Sequence, residues 1–243
     1  MYLFKFLPNA GICSRRKAAE LIKAKKIKIN GKIVDDLYYV VNKNDTVQFG
    51  DNVINIPEYK YILLNKPKDY ICTVFDPSGR KTILDLVKDL NVGKIYPIGR
   101  LDRMTTGLII LTNDGDLTQK LSHPKYEISK GYEVVLDRQL KKDDFELIKK
   151  GLNLDDGFIF VDNLFYIPGQ KGFNIGIEIH SGRNRIVRRI FEHLGYSVKK
   201  LDRVYYAGLQ KTGLRLGKWR FLTKKEVDYL KGLGDESNFN KKK

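Results

Sequence analysis

Residues 99–117, GRLDRMTTGLIILTNDGDL, hold the chain's most distinctive set of chemically capable side chains. Arg100 and Asp102 fall in a loop that follows a short strand and precedes the apolar run 108–112. A carboxylate placed there can attack carbon as a nucleophile or take a proton. It can equally be a turn former or a cap, as an isolated loop aspartate ordinarily is. Lys130 and Tyr132 alternate along a strand, and SGRNRIVRR gathers Arg183, Arg185, Arg188 and Arg189. Guanidiniums suit phosphate and a tyrosine ring suits a stacked base. Metal chemistry has no support, because His123, His180 and His193 are far apart and Cys13 and Cys72 lack partners at ligand spacing. No Walker loop, strand-linked G-x-G-x-x-G or nucleophilic triad is present.

The elements that must position these groups belong to a strongly basic globular chain. Its 243 residues are 42% hydrophobic and carry 45 Lys and Arg against 29 Asp and Glu, a net charge of +16. Such an imbalance opposes compaction unless a polyanion is a partner. Nucleic acid is the first candidate and an anionic membrane surface the second. No apolar run approaches ~18 residues, so no membrane span is expected. The opening MYLFKFLPNAGIC contains Lys5 and Pro8 and is followed by Arg15-Arg16-Lys17, the wrong order for a signal peptide. Two unpaired cysteines read as reduced thiols in a cytoplasmic protein.

The pattern divides near Pro57, giving a small unit at 1–57, a larger one at 58–234 and a polar tail at 235–243. In the first, Ser14 can cap a helix running to about Lys25. Ile27 and Ile29 alternate with lysines, and Asn30-Gly31 offers the two positive φ angles of a hairpin turn. Short strands follow at 47–49 and 53–56. In the second unit, strands are expected at 59–64, 95–98, 108–112, 130–137, 158–167, 173–179 and 197–206. Helices are expected at 82–90, 116–122, 142–150 and 185–194, with a last one capped by Thr223 and Glu226. Consecutive strands with irregularly placed helices imply an α+β fold with a mixed, mainly antiparallel sheet.

Between Ser14 and Lys32 stand eight basic residues and one acid, Glu20. The stretch AGICSRRKAAELIKAKKIKINGK resembles the S4 RNA-binding domain. That resemblance implies that Ser14, Arg15, Arg16, Lys17, Asn30 and Lys32 face RNA. Residues 99–117 resemble the signature of the RsuA/RluB/RluE/RluF family of pseudouridine synthases. YILLNKPKDY, DPSGRKTILDL, HPKYEISKGYEV, SGRNRIVRRIFEHLGYSVKKLDRVYYAGL and GKWRFLT follow the same family's order. The resemblance covers nearly the whole chain. It implies a pseudouridine synthase fold behind an S4-like unit, with Asp102 as nucleophile and no cofactor.

It also implies Lys130 and Tyr132 as the Lys-x-Tyr pair, Arg188 as the active-site arginine and Leu201 as an apolar contact of the base pocket. Arg188 would oppose the tendency of a carboxylate buried under a stacked base to neutralise. Tyr132 would stack on the extruded base and assist proton removal at C5. Arg100 would hold the flipped nucleotide or fill its place. Arg183, Arg185 and Arg189 would meet phosphate, and Lys66 and Lys130 either meet phosphate or are solvated. Ser181 and Ile186 depart from the family's usual Glu and Gln.

The pattern is closest to the RluB type, so 23S ribosomal RNA is the expected substrate. Small-subunit 16S RNA, as for the RsuA type, is the alternative. A non-catalytic ribosome-assembly protein would explain the charge but not Asp102, Tyr132 and Arg188 together. A glycosidase-type hydrolase would need a second carboxylate that Asp102 lacks. The basic surface argues for a monomer.

Overall fold

The computed structural model describes residues 1–56, 58–90 and 92–233. The polar tail expected at 235–243 lies outside them. The described residues form two compact units. One holds those of 1–60 with 91–95 and 113–115; the other holds the rest.

The first unit packs α1 (Leu3–Asn9) and α2 (Arg15–Lys23) on a sheet of β1 (Ile27–Ile29), β2 (Lys32–Ile33), β3 (Val47–Phe49) and β4 (Asn52–Ile54). The strand order is β2-β1-β3-β4, all antiparallel. Ser14 caps α2 by accepting from the Lys17 N–H at 3.2 Å. Asn30 and Gly31, at φ 52° and 79°, turn β1 into β2 as the Asn-Gly pair requires. Leu3, Leu7, Ala18, Ile22 and Ile27 are fully buried. Helix α1 has no counterpart in the sequence-based expectation. Pro8 and Lys5 disguise it, yet Leu3 and Leu7 share a face one turn apart.

The second unit is built on one large sheet. Its strands are β5 (Tyr61–Lys66), β6 (Tyr96–Pro97), β7 (Thr106–Thr112), β8 (Lys130–Leu136), β11 (Asn163–Tyr166), β12 (Asn174–Ile179), β13 (Val198–Tyr206), β14 (Leu209–Gln210) and β15 (Trp219–Phe221). Between them, β9 (Leu152–Leu154) and β10 (Gly157–Ile159) form a separate hairpin. The helices are α3 (Gly115–Ser122), α4 (Lys142–Lys150), α5 (Ile186–His193) and α6 (Lys224–Gly232). The main order is β11-β12-β8-β13-β7-β5-β15, with β14 beside β13 and β6 beside β7. Its strands pair antiparallel except β13 with β7, which run parallel. This is the expected α+β architecture with a mixed, mainly antiparallel sheet.

Two expected elements differ. The single strand at 158–167 is two short strands, because β10 pairs within its own hairpin while β11 joins the large sheet. The helix expected at 82–90 is one 3-10 turn, Ile83–Leu86. Only Ile83 and Val87 are buried apolar residues there, too narrow a stripe to hold a longer helix. No helix of the described residues is long and apolar enough to cross a membrane.

Candidate active site

The site forms where the parallel pair meets. Asp202 lies opposite Thr106, and Arg203 opposite Gly107. Gly107 has φ 113°, and a Cβ there would stand 2.3 and 2.4 Å from the Arg203 backbone O and N. Only glycine admits that approach. The chain entering β7 from this crossing is the Asp102 loop. The Thr105 N–H donates to the Asp102 carbonyl at 3.0 Å and closes its turn. Leu101 is buried and its N–H lies 3.3 Å from Cys72 Sγ. Arg103 pairs with Asp69 at 3.0 and 2.8 Å. The loop is therefore anchored on both sides of Asp102, which stays 39% exposed at a cleft.

Arg100, Asp102, Lys130, Tyr132, Arg183, Arg185 and Leu201 all line that cleft. Tyr132 on β8 sits directly opposite Arg203 on β13, and Leu201 is two residues along, on the same face. Arg185 opens α5 in a left-handed conformation, φ 48° and ψ 28°. Such a conformation costs a non-glycine residue about 1–3 kcal/mol and recurs at functional sites. It brings Nη1 of Arg185 to 3.7 Å from Asp102 Oδ2, while Nη2 lies 3.2 Å from Glu192. Arg188, one turn into α5, is 9% exposed. Its Nη1 donates to the Val198 carbonyl at 3.0 Å and its Nε stands 3.9 Å from Asp102 Oδ2. Burial pulls the Arg188 pKa below its ordinary value, the nearby Arg185 charge adds to that, and Asp102 opposes it.

Lys130 Nζ donates to the Ile128 and His180 carbonyls at 2.8 and 2.9 Å. Its burial, with repulsion from Arg203, pushes its pKa down to about 8. Among the described residues no group of His, Cys, Asp and Glu gathers as a metal site.

Other sequence-derived candidates are placed differently. Lys66 is fully buried, and its ammonium donates to the Pro67, Tyr70 and Arg103 carbonyls at 2.9, 2.9 and 3.2 Å. It ties the Asp102 loop to the end of β5, so neither phosphate contact nor solvation describes it. Arg189 makes a two-pronged pair with Asp156 at 2.8 and 2.7 Å, and Arg183 Nη1 donates to the Gly157 carbonyl at 3.0 Å. Asn30 spends its amide on Asp45 at 2.8 Å and on the Thr46 N–H at 2.9 Å, which makes it a brace of the hairpin. Arg15, Arg16 and Lys32 are exposed, and Lys17 is exposed with Glu20 at 2.9 Å.

Residues 60–193 match the family described as RNA pseudouridylate synthase, more than half of the chain. The chain belongs to the RNA pseudouridylate synthase family. It is thus an RNA pseudouridine synthase, an isomerase, and residues 2–47 match the S4 domain. The synthase is 42% identical to "Ribosomal large subunit pseudouridine synthase B" of Bacillus subtilis over 96% of both chains. It is 38% identical to an RNA pseudouridine synthase of Aquifex aeolicus over 93% of this chain and 92% of that one. A solved structure titled "Crystal structure of pseudouridylate synthase" superposes with a TM-score of 0.66 at 30% identity, covering 95% of this chain and 99% of that one.

Among the lining residues of the synthase's cleft that escaped the sequence reasoning are Thr105, His180, Arg203 and Tyr206. No sequence signal singled out Arg203: strict alternation groups it with Lys199, Leu201 and Tyr205, and Tyr206 joins its face only through the register shift between Arg203 and Tyr205.

Proposed function

We propose that this synthase isomerises a uridine of large-subunit ribosomal RNA to pseudouridine, with Asp102 as the reacting carboxylate and the uridine flipped out of its stack. One observation carries the assignment: the Asp102 carboxylate opens onto a cleft it shares with Tyr132 and Leu201, with two guanidiniums within 4 Å of one oxygen. Large-subunit RNA is favoured by the name of the Bacillus subtilis relative.

The reaction breaks N1–C1′, turns the base and joins C5 to C1′. Asp102 attacks C1′ or C6, or takes the C2′ proton. Tyr132 offers a ring for the extruded base, an interaction worth roughly 1–3 kcal/mol, against a flipping cost of a few kcal/mol. Arg188 and Arg185 keep positive charge beside the carboxylate. Arg100, exposed at the rim, holds the flipped nucleotide or fills its place. The S4-like unit at 1–57 adds phosphate contacts through Arg15, Arg16 and Lys32, and residues 58–234 perform the chemistry. The synthase acts as a cytoplasmic monomer.

The test uses ribosomal RNA labelled with tritium at uridine C5, taken from cells lacking this synthase. The parent releases tritium; Asp102→Asn releases none and still binds RNA. Release from Asp102→Asn at the parent rate overturns the assignment. Mapping pseudouridines in the same RNA identifies the subunit, and a missing site in 16S rather than 23S RNA overturns the large-subunit assignment.

A further inference from the structure

Arg203 is 3% exposed, in the wall of the same cleft. Its Nε donates to the Leu108 carbonyl at 2.7 Å, and its guanidinium carbon stands 4.3 Å from the centre of the Tyr206 ring. These contacts fix the plane of the guanidinium. Its Nη2 is nonetheless buried with no acceptor among the described residues. A charged donor withdrawn from water and left unmatched is costly, and such groups are retained where a ligand supplies the partner. A second group has the same character. Thr105 is 2% exposed, lines the cleft, and its Oγ1 is also buried without a partner.

Tyr132 and Arg203 are direct cross-strand neighbours on one face of the sheet. A base stacked on the Tyr132 ring therefore has its edge beside the Arg203 guanidinium. Lys130, the other cation of this wall, has already given two of its three protons to carbonyls.

We propose that the Arg203 guanidinium, with the Thr105 hydroxyl, receives a carbonyl oxygen of the flipped uracil and holds the negative charge that spreads over the base when its bond to the sugar breaks. This rests on the uridine-isomerising role given to the cleft above. When N1–C1′ breaks, its electron pair stays on the base and is shared by N1, O2 and O4. The turned base then uses an electron pair at C5 to bond C1′. C5 loses its proton, N1 gains one, and the atoms balance as an isomerisation. A fixed, desolvated guanidinium at O2 or O4 stabilises the anionic stage more than the neutral uridine, which is the condition for lowering the barrier. Placed at O4, it also selects uracil, because cytosine presents an amino donor at that position.

The experiment measures single-turnover tritium release from the same C5-labelled ribosomal RNA at saturating enzyme, with RNA affinity and melting temperature recorded alongside. Arg203→Gln is expected to slow release about 100-fold with RNA affinity nearly unchanged, the usual effect of removing one preorganised donor. Arg203→Lys, which keeps the charge, is expected to recover much of the rate. Thr105→Val guards against a folding defect. Its hydroxyl has no partner among the described residues, so the variant melts no lower than the parent, yet releases tritium about 10-fold more slowly. Release within about threefold of the parent in both Arg203→Gln and Thr105→Val overturns the proposal, as does slowing matched by lost RNA affinity. Asp102→Asn run in parallel separates the two claims. Activity retained there sinks the role of Asp102, whereas Arg203 stands or falls on its own variants.

Discussion

Arg185 and Arg188 stand almost equally far from Asp102, at 3.7 and 3.9 Å, so distance does not rank them. Burial does. The Arg185 side chain is 44% exposed and Arg188 10%. A unit pair near 4 Å is worth about 1 kcal/mol in water and about 4 kcal/mol at an effective dielectric of ~20. Asp102 is itself 39% exposed, so the larger figure is discounted for solvent screening. About 2 kcal/mol remains for Arg188, or roughly 30-fold in rate, and about 1 kcal/mol or less for Arg185, or roughly fivefold. RNA filling the cleft expels water and widens that gap. Arg188→Met and Arg185→Met should therefore differ. At saturating RNA, Arg188→Met lowers single-turnover tritium release by roughly 30-fold or more, whereas Arg185→Met chiefly weakens RNA binding. Melting curves control for the lost Arg188–Val198 hydrogen bond. A saturated rate hit as hard by Arg185→Met as by Arg188→Met would refute the ranking by burial.

Gly107→Ala should damage the site from behind, because its Cβ meets the Arg203 backbone at 2.3 Å on a residue with φ 113°. A loss of more than about 3 kcal/mol in denaturant unfolding is expected, and a loss below about 1 kcal/mol would show that the strands can part at little cost. Lys130 supplies a pH test. Its folded pKa, about 8, lies below the 10.5 of a free lysine, so folding penalises its charged form. The penalty is present in full below pH 8 and is relieved as pH rises from about 8 towards 10.5. Relative to Lys130→Met, the parent should gain on the order of 2 kcal/mol between pH 7.5 and 9.5; parallel pH–melting curves would contradict this.

Much of the site was legible in the chain because its signals are local. The Asn-Gly turn, the Ser14 cap and the Thr223–Glu226 capping box each need only residues within four positions, and all formed as expected. The Asp102 loop, Lys130, Tyr132 and the arginines of α5 could be named because the motifs around them resemble those of a known family. What the sequence did not disclose was burial. Lys66 and Arg203 look like any other cations in a chain carrying 45 of them. One became a clamp under three carbonyls, and the other an unmatched donor in the cleft wall. Arg189, expected at phosphate, was taken by Asp156, 33 residues away in the chain.

The sequence by itself determined the residue types, the local turns and caps, and the family to which they belong. Tertiary structure alone decided which cations lost their water, because that depends on β13 lying parallel against β7 and opposite β8, a pairing between segments some 70 to 100 residues apart. The energy of a charge is set by its surroundings rather than its identity, and surroundings are assembled only when distant strands meet.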